Sequence, residues 1–492
     1  MNHLPFLIPA SLLFAAFLVP LAGLLRKSFA AGIAVAGSGL AALFSLASLY
    51  KVLSAGTMRY HFGGWAPPIG IEYVVDPLGA FMASVVTFVG FVAMIYFRLS
   101  IRHEAPDRFV TAHAIGLLLL AGLSGMIVTG DLFNLFVFLE IASLSAYALI
   151  AIGEKRAPVA AFRYLILGSL AGSFYVLGVG FLYFSTGSLN MADVAQRLTA
   201  IYDSRAVAAA ATLIAVAMAI KMALFPLHLW LPDAYTYAPS AVGGLIPPIM
   251  TKVAAYVLIR IFLDVFPPHY SMNELPVLPA VGWLAAAGIV FGSVMAIAQN
   301  DLRRMLAYSS VSQIAYVGLG VGMGHPLGLV GAMLHILNHA FMKGCLFFVA
   351  GAIRYRTGWV EISRFTGLGK RMPWTMGAFT VAALSMIGIP PAAGFFSKWY
   401  LLLGAIEIGN GWFVAVILLS SLLNAAYFFR VLENVYGKTQ PPEKNDPARL
   451  DPPASMLAPI LLLAGGILVF GLLNSVIVTQ VLEPIAVRLY KS

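Results

Sequence analysis

Runs of about twenty apolar residues follow one another along this 492-residue chain, separated by short polar connections. A helix of that length crosses the hydrocarbon core of a bilayer, so each run is a candidate span. The fold class expected is therefore an all-α polytopic membrane protein. Hydrophobic residues make up 61% and charged residues 10%, and no connection is long enough for a soluble domain, which leaves a single membrane domain over 1–492. The net charge of +10 is spread over short loops rather than gathered in a stripe, which argues against nucleic-acid binding.

About fourteen spans are expected, at 4–25, 30–53, 76–98, 110–129, 132–152, 161–185, 206–230, 239–264, 276–298, 302–322, 327–353, 373–404, 411–436 and 455–480. MRYHFGGWAPPIGIEYVVD, between the second and third, reads as a surface hairpin, and the Pro-rich GKTQPPEKNDPARLDPP as a solvent-exposed connection. The N-terminus has no basic segment before its apolar run, so the first helix is read as retained. With the turn at 26–27 taken as cytoplasmic, nineteen basic residues, Lys438 and Lys444 among them, fall on that side against seven on the other. This bias predicts a multi-pass protein of the cell inner (cytoplasmic) membrane with both termini on the outer side. The lone Cys345 excludes an intrachain disulfide and a Cys-rich metal or iron–sulfur site.

Charges inside these runs carry the functional signal. Lys221, Lys252, Lys343 and Lys398 each lie in an apolar stretch, and Glu140 lies in LFVFLEIASLSAYALI. An ionisable group at membrane depth is costly unless it is paired or faces a wet cavity, so each is a functional candidate. Glu140 is the natural partner of Lys221: a carboxylate at variable distance would switch a buried lysine between holding and releasing a proton. Arg260 serves the helix end near Lys252, which leaves Lys252 for a central relay rather than for snorkelling. His335, His339 and Lys343 follow at intervals of four and share one helix face, a column suited to proton relay. His-x-x-x-His also binds zinc, but the HExxH pattern and a third ligand are missing, so neither a metal nor another cofactor is expected. His228 and Asp233 read as boundary residues.

A faint internal repeat sets DLFNLFVFLE at Asp131 against DLRRMLAYSS at Asp301. The corresponding seventh and twelfth spans are both interrupted, by Pro226 and Pro232 in one and by Pro390, Pro391 and Gly394 in the other. Paired interruptions of this kind point to a transport site, because unwound backbone at membrane depth survives only where it lines protein or water.

TGDLFNLFVFLEI, KMALFPLHLWLPDAY, TKVAAYVLIR, DLRRMLAYSSVSQIAYVGLG, LHILNHAFMKGCLFFVAGAI and GIPPAAGFFSKWYLL together resemble the signature segments of the antiporter-like proton-translocating subunits shared by respiratory complex I, Mrp cation/proton antiporters and membrane-bound hydrogenases. DLFNLFVFLEI with STGSLNMADVA is most similar to the D-type member of Mrp antiporters. The resemblance implies three N-terminal helices over 1–109, two inverted five-helix repeats at 110–264 and 276–436, and a cytoplasmic loop with a last helix over 437–492. It further implies that Glu140 and Lys221 are the charged pair, Lys252 the central lysine and Lys398 the terminal one, with His335 and His339 on a hydrated axis between them. Lysine at 398, where a complex I member carries glutamate, favours the Mrp-like form. The expected function is Mrp-type cation (sodium)/proton antiport within a multisubunit complex, in contact with other antiporter-like and small hydrophobic subunits and with lipid, and without a catalytic centre of its own. The alternatives are a proton-pumping subunit of a complex I- or hydrogenase-like redox complex and a stand-alone solute carrier; a redox subunit holding quinone or haem is a third, but His335 and His339 four residues apart on one helix suit a relay better than haem ligation.

Overall fold

The computed structural model describes residues 3–437 and 449–491. Its helices are α1 Leu4–Leu25, α2 Lys27–Ala55, α3 Pro77–Glu104, α4 Phe109–Val128, α5 Leu132–Ala151, α6 Ala157–Thr186, α7 Met191–Leu198, α8 Arg205–Lys221, α9 Leu231–Tyr237 and α10 Ser240–Arg260. They continue as α11 Val277–Ile297, α12 Leu302–Gly322, α13 Pro326–Thr357, α14 Leu368–Arg371, α15 Pro373–Ile387, α16 Ala393–Glu407, α17 Gly411–Leu432, α18 Ala454–Leu472, α19 Asn474–Ile477 and α20 Glu483–Lys491. Among the described residues, eleven helices are long and apolar enough to cross a membrane: α1 to α6, α10, α11, α13, α17 and α18.

Three further expected spans fall at α8 with the non-helical residues 222–230, at α12, and at α15 with α16. The first and last are interrupted helices, and α12 is diluted by Ser309, Ser310, Ser312 and Gln313. The hairpin forms as expected, with β1 Met58–His61 antiparallel to β2 Glu72–Val75. The last expected span, 455–480, is a correction: α18 ends at Leu472, and two short helices, α19 and the amphipathic α20, follow. The short α7, capped by the Asn190 side chain, was not expected either. Residues 438–448 of the Pro-rich connection, with Lys438 and Lys444, lie outside the described residues.

The faint repeat has a distinct backbone counterpart. Leu132 N–H donates to Leu189 O at 2.8 Å and Met191 N–H to Gly130 O at 2.9 Å; Leu302 N–H donates to Val360 O and Ile362 N–H to Asn300 O, both at 2.9 Å. In each half a Thr-Gly pair ends the long helix: Gly187 and Gly358 have φ of 70° and 72°, the left-handed turn that glycine adopts without penalty. Thr186 and Thr357 each cap the same turn by bonding back to the residue four before. So α5 with α6, and α12 with α13, are tied by the same clasp about 170 residues apart.

At the centre lie α10 and α13, each buried through its whole apolar stretch. Neither presents a solvated polar face: Lys252 on α10 and His335, His339 and Lys343 on α13 are buried with the apolar residues. α13 packs on α3, α10, α12, α15, α16 and α18, while α10 packs on α3, α8 and α13.

Candidate functional site

The five candidate charges sit on a row of neighbouring helices: Glu140 on α5, Lys221 on α8, Lys252 on α10, Lys343 with the histidines on α13, and Lys398 on α16. All four lysines are buried, with exposures of 5%, 1%, 0% and 6% in chain order.

α8 stops at Lys221, before Pro226. Residues 222–230 are non-helical, Ala223 adopts φ 58°, and the freed Ile220 carbonyl accepts from the Trp230 indole at 2.9 Å. Pro232 stands in the first turn of α9, where it opens a helix rather than breaking one. The Lys221 ammonium donates to Ser143 Oγ at 2.7 Å and to Tyr147 OH at 3.4 Å, both on α5. Glu140, expected as its partner at variable distance, makes no hydrogen bond to Lys221 in this conformation: Glu140 Oε1 is buried without a hydrogen-bond partner. Its carboxylate lies instead on α6, where a Cβ at Gly172 would stand 2.4 Å from Oε1, so glycine makes its room. A pocket of about 20 Å³ bounded by Ser143, Tyr164, Lys221 and Met250 adjoins the ammonium, space for about one water molecule.

Lys252 donates to the Pro247 carbonyl at 2.6 Å and to Thr251 Oγ1 at 3.4 Å. Arg260, at the end of the same helix, does not snorkel freely. It pairs with Asp76 of the hairpin end, with the two closest contacts at 2.6 and 2.8 Å, and with Asp264. Burial opposes ionisation of Asp76, but Arg260 and Arg488 hold its carboxyl well below the usual carboxylate range.

On α13 the two imidazoles stack with centroids 5.5 Å apart. His335 Nδ1 meets Ser397 Oγ at 3.0 Å, which ties the column to the residue before Lys398. Lys343 donates to Leu306 O at 2.8 Å and to Ser309 Oγ, both of α12. Lys398 donates to Met386 O and Ile387 O, both at 2.9 Å, and to Ser421 Oγ at 3.2 Å. Those carbonyls are the last of α15; the chain turns at Gly388 (φ 96°), so no helical N–H reaches them, and the negative end of the helix receives the cation. Gly394 is obligatory in this break, since a Cβ there would stand 2.0 Å from Ser385 O.

Gln313, Tyr316, His335, Asn338 and His339 all carry buried polar atoms without a protein partner. Gln313 and Tyr316 lie on α12 and the other three on α13, the helix that carries Lys343. Among the described residues, no group of three His, Cys, Asp or Glu gathers as a metal site would require. Asp233, read as a boundary residue, bridges Arg163 at 2.8 Å and Arg304 at 3.1 Å. Sequence reasoning missed Ser143, Tyr147, Ser397 and Ser421; only their place one or two turns from a charge on a helix face marked the first two.

Comparison with known proteins supports one lineage. The family described as "NADH:quinone oxidoreductase/Mrp antiporter, TM" matches residues 129–424. The N-type subunit of a Desulforudis audaxviator NADH-quinone oxidoreductase is 51% identical over 98% of this chain and 98% of its own length. The D-type subunit of the Alkalihalophilus pseudofirmus Na(+)/H(+) antiporter is 33% identical over 80% of this chain and 78% of its own. A chain of the membrane-bound sulfane sulfur reductase, an archaeal respiratory membrane complex, superposes with a TM-score of 0.90 at 31% identity, covering 99% of this chain and 98% of that one.

Proposed function

Because the chain belongs to the NADH:quinone oxidoreductase/Mrp antiporter family of transmembrane subunits, we propose that it translocates protons within a multisubunit membrane complex, along the row of buried groups from Glu140 and Lys221 through Lys252 and the His335–His339 column to Lys398. One observation carries this reading: four enclosed lysines, none in contact with a carboxylate among the described residues, stand on adjacent helices beside buried polar atoms that lack protein partners. Buried polar atoms are generally hydrogen-bonded, and water is the partner that such a lining calls for. A lysine held by neutral oxygens keeps its proton exchangeable, whereas a tight carboxylate pair would trap it.

Glu140 supports assembly with other subunits. It is half-buried on a stripe of α5 whose neighbours Phe133, Val137 and Leu144 are 46%, 41% and 59% exposed. A carboxylate on a lipid-facing stripe is costly, so a second membrane protein of the complex covers this face.

The relatives' names point to two energy sources. The Mrp-type sodium/proton form is supported by the antiporter relative, and the redox-driven form by the NADH-quinone oxidoreductase relative, which is alike along its whole length. Proton movement by this chain is the function common to both, and the neighbouring proteins of the complex decide between them. The test is purification of the native complex, identification of its components, and a pH-gradient assay in vesicles. Glu140→Ala and Lys221→Ala are each expected to reduce proton movement about a hundredfold or more at normal assembly. Wild-type rates in both variants would overturn the reading.

A further inference from the structure

Helix α17 is apolar except for a stripe of Ser420, Ser421, Asn424 and Tyr427 along one side. Ser421 is the hydroxyl partner of Lys398 described above, whereas Asn424 and Tyr427 do not touch a charge. Both are completely buried. An amide at membrane depth is costly unless its hydrogen bonds are made, so Asn424 is kept for its partners.

Those partners lock the amide in one orientation. Asn424 Nδ2 donates to Met386 O at 3.3 Å, and the Tyr427 hydroxyl donates to Asn424 Oδ1 at 2.8 Å. A carbonyl can only accept, so the amino group must face Met386 and the amide oxygen is left for the tyrosine. Met386 O is also one of the two carbonyls that receive the Lys398 ammonium, at 2.9 Å. A neutral donor and a cation therefore share the two lone pairs of one acceptor, at the end of a helix that offers it no backbone N–H.

We propose that Asn424 is a positioning residue for Lys398: it keeps the Met386 carbonyl satisfied when the lysine gives up its proton and turns away, and Tyr427 holds it ready to do so. The proposal rests on the proton-translocation reading. A buried carbonyl left without a donor is unfavourable, and that penalty opposes release of the lysine. Asn424 removes it at Met386 and, by sharing the acceptor, weakens the pull of that carbonyl on the ammonium. Both effects loosen the hold on the proton. The titratable groups that face Lys398 from the packed helices are His335 on α13, Tyr316 on α12, whose ring lies 5.4 Å from the ammonium, and Tyr427 behind Asn424 on α17; α15 and α18 carry none. On α16 itself Tyr400 turns to Asn474, and Glu407 is exposed at the helix end.

The experiment measures proton flux against pH in vesicles carrying the whole complex, with wild type and Lys398→Ala as references. Asn424→Leu nearly keeps the shape of the side chain and removes both hydrogen bonds. Its flux near pH 7 is expected to fall about tenfold and to be regained about one pH unit higher, as for a lysine that holds its proton about tenfold more tightly. Tyr427→Phe, which only frees the amide to turn, is expected to shift the profile the same way by less. Asn424→Gln keeps the donor and is expected to fall between Asn424→Leu and wild type. A flux lowered equally at every pH, or a wild-type profile in Asn424→Leu, overturns the proposal and leaves proton translocation standing. If Asn424→Leu does not assemble, a wild-type profile in Tyr427→Phe overturns it. A wild type that moves no protons, or Lys398→Ala moving them at the wild-type rate, overturns the proposed path and this inference with it.

Discussion

Each buried lysine is satisfied by oxygens that carry no charge. Lys221 has two hydroxyls, Lys252 a carbonyl and a hydroxyl, Lys343 likewise, and Lys398 two carbonyls at a helix end and a hydroxyl. A bare ammonium at this depth would cost several kcal/mol, and these contacts lower that cost without locking the proton as a carboxylate contact would. Ser143 has the shorter contact to Lys221, so Ser143→Ala is the sharpest probe of this balance. Proton flux is expected to drop several-fold while Tyr147→Phe, at the longer contact, costs less; the check is initial flux in vesicles at matched protein. Such partners were not legible in the sequence. Lysines and Glu140 stand out in an apolar run, whereas a serine in LFVFLEIASLSAYALI looks like any other small residue, and a backbone carbonyl has no sequence signature at all. Glu140 was expected as a partner of Lys221 at variable distance, and glycine at 172 gives its carboxylate the place it takes here.

Among the elements, α10 is held at both ends by α3. Asp76, the N-cap of α3, pairs with Arg260 at the end of α10, and Glu104, the last residue of α3, accepts from Ser240 at its start. Between these clamps lie Pro247 and Pro248, which lack N–H donors, and Lys252 follows one turn later. α20 joins the first clamp through Arg488 and Asp76. Asp76→Asn is expected to lower the melting temperature of the complex. Because the Asp76 pKa is held below its ordinary value of about 3.9, its stabilisation is fully present above that value and is lost only as pH falls further. The penalty of the variant is therefore expected to be constant between about pH 5 and pH 8; thermal unfolding across that window checks it, and a penalty that vanishes within it would contradict the assignment. The long helices and the hairpin were readable from apolar runs and turn residues. The positions of the breaks were readable only approximately, since the chain leaves α8 at Lys221, well before the next proline, Pro226.

At the scale of the molecule, the four lysines stand on a row of packed helices. α8, α10, α13 and α16 pack side by side, α8 on α10, α10 on α13 and α13 on α16, and each contributes one lysine. The two clasps at α5–α6 and α12–α13 carry the faint repeat at Asp131 and Asp301 into backbone pairing. Lys252, on α10, stands between Lys221 on α8 and the column on α13, so every proton on the proposed path passes it. Proton translocation in vesicles carrying the native complex, wild type against Lys252→Arg, is the most direct test. Arginine keeps the positive charge and effectively never gives up its proton. The account predicts an assembled complex whose proton flux is lost, and a Lys252→Arg complex pumping at the wild-type rate would show that Lys252 is only a fixed charge.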